Sequence, residues 1–391
     1  TDILGTGSFS AVYNCIDQKT SQECAIKIIR NKKTLKKQAN LEVEILYLLG
    51  QNPYGHCIEL QSHFKFRSHT CMVFPVYKMN LFQYLKSKDF SGCSMSVVRK
   101  ITSQLLTCLS YLRSSGVVHC DIKPENILIK DENTMEITLA DFGSAQFCGK
   151  MHYSYVQSRF YRAPEVLLSF KEVDIDDLDK EESKQPDTNR GENIVLNDCS
   201  TDSDSDNEKQ TKKKVLPKKK QKYHYSYPMD IWSLAVMLPE LRLGFPSFPG
   251  ESEIDQLALV SELLGTPPPN LFEMCSRKKV FFTNNGGSIG DGFKDNKGNF
   301  SLKGYTTSKG TKREVGSRSV HELVKARQTR GDVAFVSFLE AILQWDPDLR
   351  ITPDVAIRHE FIVGGQKEKE REKEGGRAKS TKSNVKTTRA K

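Results

Sequence analysis

In the segment HCDIKPEN, residues 119–126, a histidine, a cysteine and an aspartate stand in a row, followed by Lys123 and Asn126. His119 and Cys120 side by side can be a metal-ligand pair, a thiol nucleophile with its base, or merely neighbours of Asp121. The remaining side chains suggest a different chemistry. Asp121 can position a hydroxyl group and accept its proton. Lys123 can neutralise charge on a transferring phosphoryl group. Asn126 offers a neutral oxygen to Mg2+. Fifteen residues after Asn126 comes DFG, residues 141–143, preceded by the strand-like ITLA. Asp141 supplies a hard carboxylate oxygen. Asn126 and Asp141 together give a magnesium ion few protein ligands, leaving room for water and nucleotide phosphates.

The ten cysteines weigh against zinc. They are scattered at 15, 24, 57, 71, 93, 108, 120, 148, 199 and 275, and none falls in a CxxC pair. Most sit in apolar contexts, such as Cys71 in TCMVF and Cys108 in LLTCLSYL. They read as reduced thiols acting as small hydrophobes, which points to an intracellular compartment.

The elements that must position these groups change character along the chain. Residues 3–16 read as two short strands around the glycine turn GTGSFS, and ECAIKII, 23–29, as a third. Gly5 and Gly7 let a backbone approach phosphate oxygens closely, although an ordinary hairpin has the same look. A dinucleotide-binding turn fits worse, because it runs from strand into helix, whereas AVYNCI continues as strand. Lys27 inside the apolar strand is either an edge residue facing solvent or a paired one. Leu41, Ile45, Leu48 and Leu49 share a helix face, with Glu42 and Glu44 beside it, so a Lys27–Glu42 ion pair is within reach. HTCMVFPVY, 69–77, is a strand stopped near Pro75. Beyond it the helical period takes over. Ile101, Leu105, Cys108, Leu109 and Leu112 form one stripe, and Ile231, Leu234, Met237, Leu238 and Leu241 another, ended by Gly244, Pro246 and Pro249. Strands segregated from helices give an α+β chain of two lobes, 1–78 and 79–364.

Charge marks the interruptions. The chain has 391 residues, 27% charged and 37% hydrophobic, with a formal net charge of +9. Residues 171–208 carry roughly fourteen acids against four bases, and 209–222 about eight lysines and no acid. Such composition cannot fill a core, so 171–222 is expected to be a disordered insertion, and 365–391 a basic disordered tail. Residues 283–318 read as a long, partly irregular excursion. Nucleic-acid contact is expected only through the basic tails. No apolar run approaches the roughly 20 residues a membrane helix needs, and no signal peptide is visible. KKKVLPKKK, 212–220, is a candidate nuclear import signal, or simply solubilising. Cytoplasm or nucleus, or both, is the expected location.

RFYRAPEVLL at 159–168, PMDIWSLAV at 228–236 and LQWDPDLRIT at 343–352 complete an ordered series: Gly loop, Lys, Glu, HxDxKxxN, DFG, APE, DxW, Arg. That order is the protein-kinase signature set, and the chain resembles a protein kinase from about residue 3 to 362. Within the CMGC group it looks like the DYRK family (dual-specificity tyrosine-regulated kinases). HCDIKPENIL, DFGS, YSYVQSRFYRAPEVLL and FPGESEIDQLALVSELLGTPP carry that closer match. Homeodomain-interacting and splicing-associated CMGC kinases share parts of it but usually lack the cysteine and the Tyr-x-Tyr.

The resemblance implies a bilobal kinase fold, ATP and Mg2+ as cofactors, and a monomer acting on Ser/Thr of protein substrates, with preferences for a following proline and an upstream arginine. Gly5 and Gly7 would cover the phosphates. Val12, Ala25, Phe74, Val76, Tyr77 and Leu128 would line the ATP site, with Phe74 as gatekeeper. Lys27, paired with Glu42, would contact the phosphates. Asp121 would be the base, Lys123 the stabiliser of phosphoryl charge, and Asn126 and Asp141 the magnesium ligands. Glu165 would pair with Arg350, and Asp230 would bond the backbone of the HCD turn. Tyr155 matches an activation-loop tyrosine that the family phosphorylates on itself, and Arg159 and Arg162 would receive the phosphate.

Three departures stand out. Ser10 replaces the usual third glycine. The chain starts at Thr1, so the family's N-terminal extension is expected to lie outside this sequence. The 171–222 insertion is atypical and is expected to loop away from the body. Two readings from other classes remain: a pseudokinase scaffold, and a basic RNA- or chromatin-associated protein.

Overall fold

The computed structural model describes residues 2–7, 9–50, 56–150, 155–170, 225–283 and 302–364. The expected insertion, the tail and part of the 283–318 excursion lie outside the described residues.

The N-terminal lobe is one antiparallel sheet in the order β1-β2-β3-β5-β4. Its strands are β1 (Asp2–Thr6), β2 (Ser10–Ile16), β3 (Glu23–Ile29), β4 (Ser62–Phe66) and β5 (His69–Phe74). The β-branched run of ECAIKII takes the centre, so Lys27 lies between Val12 on β2 and Met72 on β5. Strand β4 was not legible in the sequence. All five of its residues are exposed, so no face of SHFKF is buried, and only its ladder to β5 defines it.

Helix α1 (Lys33–Leu49) packs beneath the sheet and buries Leu35, Ala39, Glu42, Ile45, Leu46 and Leu49. The expected face is therefore rotated by one position. Leu48 is 46% exposed, and Leu46 takes its place in the core. This rotation is what carries Glu42 inward.

After β6 (Met79–Asn80) and α2 (Leu81–Ser87), α3 (Met95–Ser114) begins at an N-cap where Ser94 accepts from the Val97 N–H. All five residues of its expected stripe are buried. Strands β7 (Val117–Val118), β8 (Ile127–Asp131), β9 (Glu136–Leu139) and β10 (Gln146–Phe147) then form two small sheets, β6-β8-β9 and β10-β7. They bracket the HCD and DFG segments.

A short α4 (Pro164–Leu168) and then α5 (Pro228–Leu243) follow along the chain. The sequence suggested one apolar stripe on α5. Instead it is buried on every side from Met229 to Leu241, as befits a helix in the middle of a core. Its polar residues survive there because they are bonded: Ser233 Oγ donates to the Tyr161 carbonyl at 2.7 Å, and Glu240 accepts from the Tyr161 hydroxyl at 2.8 Å. Gly244 ends α5 at φ 90°, where a Cβ would overlap the Phe90 carbonyl oxygen.

Beyond α5, helix α6 (Glu253–Leu264) is followed by α7 (Pro269–Met274) and α8 (Lys278–Phe281). The described part of the excursion, from Leu302, is irregular and tied to α6. Arg313 Nε bonds Asp255 at 2.9 Å, and the Gly316 N–H donates to Ser261 O at 2.9 Å. Helices α9 (Val320–Leu323), α10 (Arg330–Glu340) and α11 (Pro353–Ala356) close the helical lobe. The result is an α+β, bilobal protein-kinase fold. Among the described residues, no helix is long and apolar enough to cross a membrane.

Candidate active site

Strand β3, helix α1 and the DFG turn deliver three charges to one point. Lys27 Nζ lies 2.5 Å from Glu42 Oε1 and 2.7 Å from Asp141 Oδ1. Burial alone pulls the Lys27 ammonium down, but the Asp141 and Glu42 carboxylates outweigh it and the net direction is up. Lys27, with a smaller opposing cost of burial, holds Asp141 at about 2. Glu42 is pushed up by burial, against the pull of Lys27. A buried cation with two acids at hydrogen-bond distance stays ionised, and Asp141 is the member of the cluster whose side chain is half exposed.

Two residues that sequence reasoning did not single out complete the cluster. Gln38 on α1 bonds the Gly143 carbonyl through its amide. Gly143 itself leaves little room for a side chain. A Cβ there would sit 3.1 Å from Asp141 Oδ1, 3.3 Å from Lys27 Nζ and 3.5 Å from Glu42 Oε2.

The HCD turn is bent by a left-handed residue. Cys120 has φ 65°, a conformation that costs a non-glycine residue about 1 kcal/mol. Asp230, in the first turn of α5, holds it by accepting the His119 N–H at 2.7 Å and the Cys120 N–H at 2.9 Å. Burial raises the Asp230 carboxyl to about 7, and the two N–H bonds pull the other way. The Cys120 thiol is fully buried and burial pushes it well above its ordinary range, so it is no nucleophile. His119 is buried too, which lowers its pKa and keeps it neutral. Its Nδ1 accepts the Asp121 N–H at 3.2 Å, which assigns the proton to Nε2, 3.1 Å from the Ala140 carbonyl. Among the described residues, no group of three or more His, Cys, Asp and Glu could hold a metal ion.

Asp121 is gripped on both oxygens. Oδ2 accepts from Lys123 Nζ at 2.7 Å and Asn126 Nδ2 at 3.1 Å. Oδ1 accepts from the Ser158 N–H at 3.1 Å and the Ser158 hydroxyl at 2.8 Å. Lys123 Nζ also reaches Ser158 Oγ at 3.0 Å. Ser158 is a site residue the sequence reading passed over, although it lies inside the quoted QSRFYR. Its neighbour Gln157 is buried at φ 64°. Gln157 donates its N–H to the Cys120 carbonyl at 3.0 Å and its side-chain amide to Met229 O at 2.9 Å. The activation segment is thus bonded directly to the catalytic turn.

Asn126 and Asp141 meet the chemical demands of a magnesium site. The Asn126 amide nitrogen is engaged with Asp121, donating also to its carbonyl at 2.8 Å, so the hard carbonyl oxygen is the end left to coordinate. Asp141 gives one oxygen to Lys27 and has φ 62°, a second strained residue. One carboxylate and one amide suit an ion that keeps water and takes phosphate oxygens.

The remaining predicted positions fall around this centre. Gly5 is next to last in β1, and the Gly7 N–H donates to Ser10 O at 2.8 Å to close the turn. Ala25 pairs with Phe74 across β3 and β5, and both are buried. Val76 and Tyr77 follow, half-buried, and Leu128 pairs with Asn80. Glu165 and Arg350 form two parallel bonds of 2.7 Å.

Tyr155 is 68% exposed. Its ring lies 4.1 Å from the Arg162 guanidinium carbon. The structure separates the two arginines expected beside it. Arg162 is buried and bonds Gln157 O at 2.7 Å and Glu253 at 2.9 Å. Arg159 turns to the Glu251 carbonyl at 2.8 Å and the Gly250 carbonyl at 3.4 Å.

Residues 1–178 match the protein kinase domain family. The chain is 35% identical over 368 residues to the DYRK-family kinase pom1 of Schizosaccharomyces pombe, covering 93% of this chain and 27% of that protein. It is 32% identical over 364 residues to the dual specificity tyrosine-phosphorylation-regulated kinase 2 of Drosophila melanogaster, 92% of this chain and 41% of that one. The human dual specificity tyrosine-phosphorylation-regulated kinase 4 is 32% identical over 365 residues, 92% and 56%. The chain therefore spans from about a quarter to just over half the length of these relatives. With this fold, this motif order and these matches over nine-tenths of its length, the chain belongs to the DYRK family of protein kinases.

Proposed function

We propose that this chain transfers the γ-phosphoryl group of ATP to serine and threonine hydroxyls of proteins, and to its own Tyr155. The observation that carries the reading is Asp121. Its carboxylate is fixed by four donors from three residues, with Lys123 Nζ at 2.7 Å, on the loop that also presents Asn126. In this reading Asp121 orients the substrate hydroxyl and takes its proton as the oxygen–phosphorus bond forms and ADP leaves. Lys123 offsets charge on the transferring group. Lys27, kept in place by Glu42, meets the phosphates under the Gly5–Gly7 turn. Asn126 and Asp141 would hold Mg2+, which when bound neutralises phosphate charge. The pseudokinase alternative is disfavoured because Lys27, Asp121, Asn126 and Asp141 all stand in bonded, mutually supporting positions.

Beside Lys123 and Ser158 is a cavity of about 290 Å3 that includes Glu125, Glu240 and Pro246. The exposed Glu125 carboxylate there supports a basic residue in the substrate near the target hydroxyl. A peptide array with Mg-ATP tests the reading. Wild type should phosphorylate Ser/Thr peptides, and Asp141→Ala should lose at least about 100-fold. Equal labelling by both proteins would overturn it. Peptide mass spectrometry tests the second part, since an active enzyme with wholly unmodified Tyr155 removes self-phosphorylation. Cytoplasm and nucleus are both proposed locations. A fluorescent fusion with the 212–220 lysines changed to alanine decides whether that segment, outside the described residues, directs import.

A further inference from the structure

Cys57 and Cys108 stand 51 residues apart in the chain, yet their sulfurs lie 3.1 Å from each other. Both are free thiols. We infer that this pair is an oxidation site, closed by hydrogen peroxide to a reversible disulfide that latches the segment before β4 onto α3. The latch does not depend on phosphoryl transfer.

Backbone bonds hold one sulfur in place and helix packing the other. Cys57 forms a parallel bridge with Leu139, the last residue of β9. The Leu139 N–H donates to His56 O at 2.8 Å, and the Ile58 N–H donates to Leu139 O at 2.8 Å. Cys108 sits on the buried stripe of α3, between Leu105 and Leu112. An S–S bond is about 2.05 Å long, so closing it needs an approach of about 1 Å.

Burial orders the chemistry. Cys57 is 8% exposed and Cys108 0%, so hydrogen peroxide meets Cys57 first. The Cys57 sulfur attacks one peroxide oxygen and the O–O bond breaks. The thiol proton leaves with the departing oxygen as water, and Cys57 becomes a sulfenic acid. The Cys108 thiol is held well above its ordinary range, first by its bond to Cys57 and then by burial, so it keeps its proton until the second step. Its sulfur then attacks the Cys57 sulfur, the S–O bond breaks, and the hydroxyl leaves with the Cys108 proton as a second water. Two thiols lose two electrons in all, and one peroxide becomes two waters. A solitary buried thiol is inert. Here the sulfenic acid already has its partner in contact, so the disulfide forms ahead of any further oxidation.

The latch reaches the site through β9. Leu139 lies two residues before Asp141, and the Ala140 N–H between them donates to Asn126 O at 2.8 Å. Tying Cys57 to α3 therefore fixes the strand that leads into the DFG turn.

The test treats the full chain with hydrogen peroxide, then unfolds it in urea with an alkylating reagent before non-reducing peptide mass spectrometry. The Cys57 and Cys108 peptides should be joined and lighter by two hydrogens, and dithiothreitol should return both thiols. The oxidised protein should melt about 5 °C higher, since a cross-link over this span restrains the unfolded chain. Cys57→Ser should abolish that increment, and Cys15→Ser should keep it. The amide hydrogens of Ile58 and Leu139 should exchange more slowly after oxidation, and dithiothreitol should restore their rates. Cys108→Ala should behave like Cys57→Ser. If its empty core position prevents folding, Cys57→Ser, at the edge of the core, still decides. Alkylation of both thiols after treatment, Cys57 found as sulfinic or sulfonic acid beside a free Cys108, or an increment that survives Cys57→Ser overturns the assignment.

Discussion

Substituting Glu165 or Arg350 should destabilise the helical lobe by an amount that depends on which charge is left behind. The pair is fully buried, with side-chain exposures of 2% and 0%. Arg350 also donates to Gln344 O at 3.1 Å, Pro228 O at 3.0 Å and Trp345 O at 3.4 Å, and lies 4.9 Å from the Trp232 ring centre. Breaking a buried pair from one side costs about 3–5 kcal/mol. Glu165→Gln keeps one acceptor but turns an amide NH2 toward a guanidinium that cannot shed its charge. The three carbonyl partners remain, so the cost falls near the low end, about 3 kcal/mol. Arg350→Met strands a buried carboxylate and strips donors from three carbonyls, so it belongs at the high end, about 5 kcal/mol. Unfolding entropy of about 2.1 cal/mol/K per residue over roughly 280 described residues gives about 0.6 kcal/mol/K, hence losses of about 5 and 8 °C. In the double variant the glutamine no longer faces a cation, and the combined loss should fall short of the sum by about 2–3 kcal/mol, or 4 °C. Differential scanning calorimetry at fixed pH checks this, and repetition in high salt should leave the shifts in place because a buried pair is poorly screened. Shifts below 1 °C, or strictly additive losses, would refute the reasoning.

Gly143→Ala should lower kcat/KM at least about 10-fold while moving the melting temperature by less than about 2 °C, since the added methyl presses on Asp141 and Lys27 rather than on the core. ATP-dependent steady-state kinetics beside calorimetry would show otherwise. Ser158→Ala removes one of the two donors to Asp121 Oδ1 and should reduce kcat about 10-fold with KM for ATP unchanged. An effect confined to KM contradicts that positioning role. Burial pushes the Glu240 carboxyl from 4.5 up to about 7, so its contribution to stability is complete below pH 4.5 and lost as pH rises to 7. Glu240→Gln should therefore gain on wild type by up to about 3 kcal/mol between pH 4.5 and 7 and hold that gain above. Urea midpoints from pH 5 to 8 check it, and a gap independent of pH defeats it.

Much of this arrangement was legible because phosphate chemistry demands few residue types in a fixed order. Lys27 announced itself as a charge in an apolar strand, and its partner Glu42 followed from helical spacing. What stayed hidden has physical causes. Strand β4 buries no side chain, so no hydrophobic period marks it. Helix α5 is apolar all round, which reads as a stripe only if one face is assumed wet. The one-position rotation of α1, with Leu48 outside, reflects Glu42 claiming an inward place beside Lys27. Ser158 acts through a distant segment, and nothing local in a serine announces a partner 37 residues away.

Three non-glycine residues of the site share the same left-handed backbone: Cys120 at φ 65°, Asp141 at 62° and Gln157 at 64°. Each is an elbow that the chain would straighten if released. Two are bonded to each other, since the Gln157 N–H donates to the Cys120 carbonyl, while Asp230 clamps the Cys120 N–H from α5. Straightening either elbow therefore breaks the bond that bends the other. The catalytic turn and the activation segment should open as one unit, so the amide hydrogens of Cys120 and Gln157 should exchange with solvent at a common rate, slower than those of exposed β4. Unequal rates at these two amides would show that the catalytic turn opens without the activation segment.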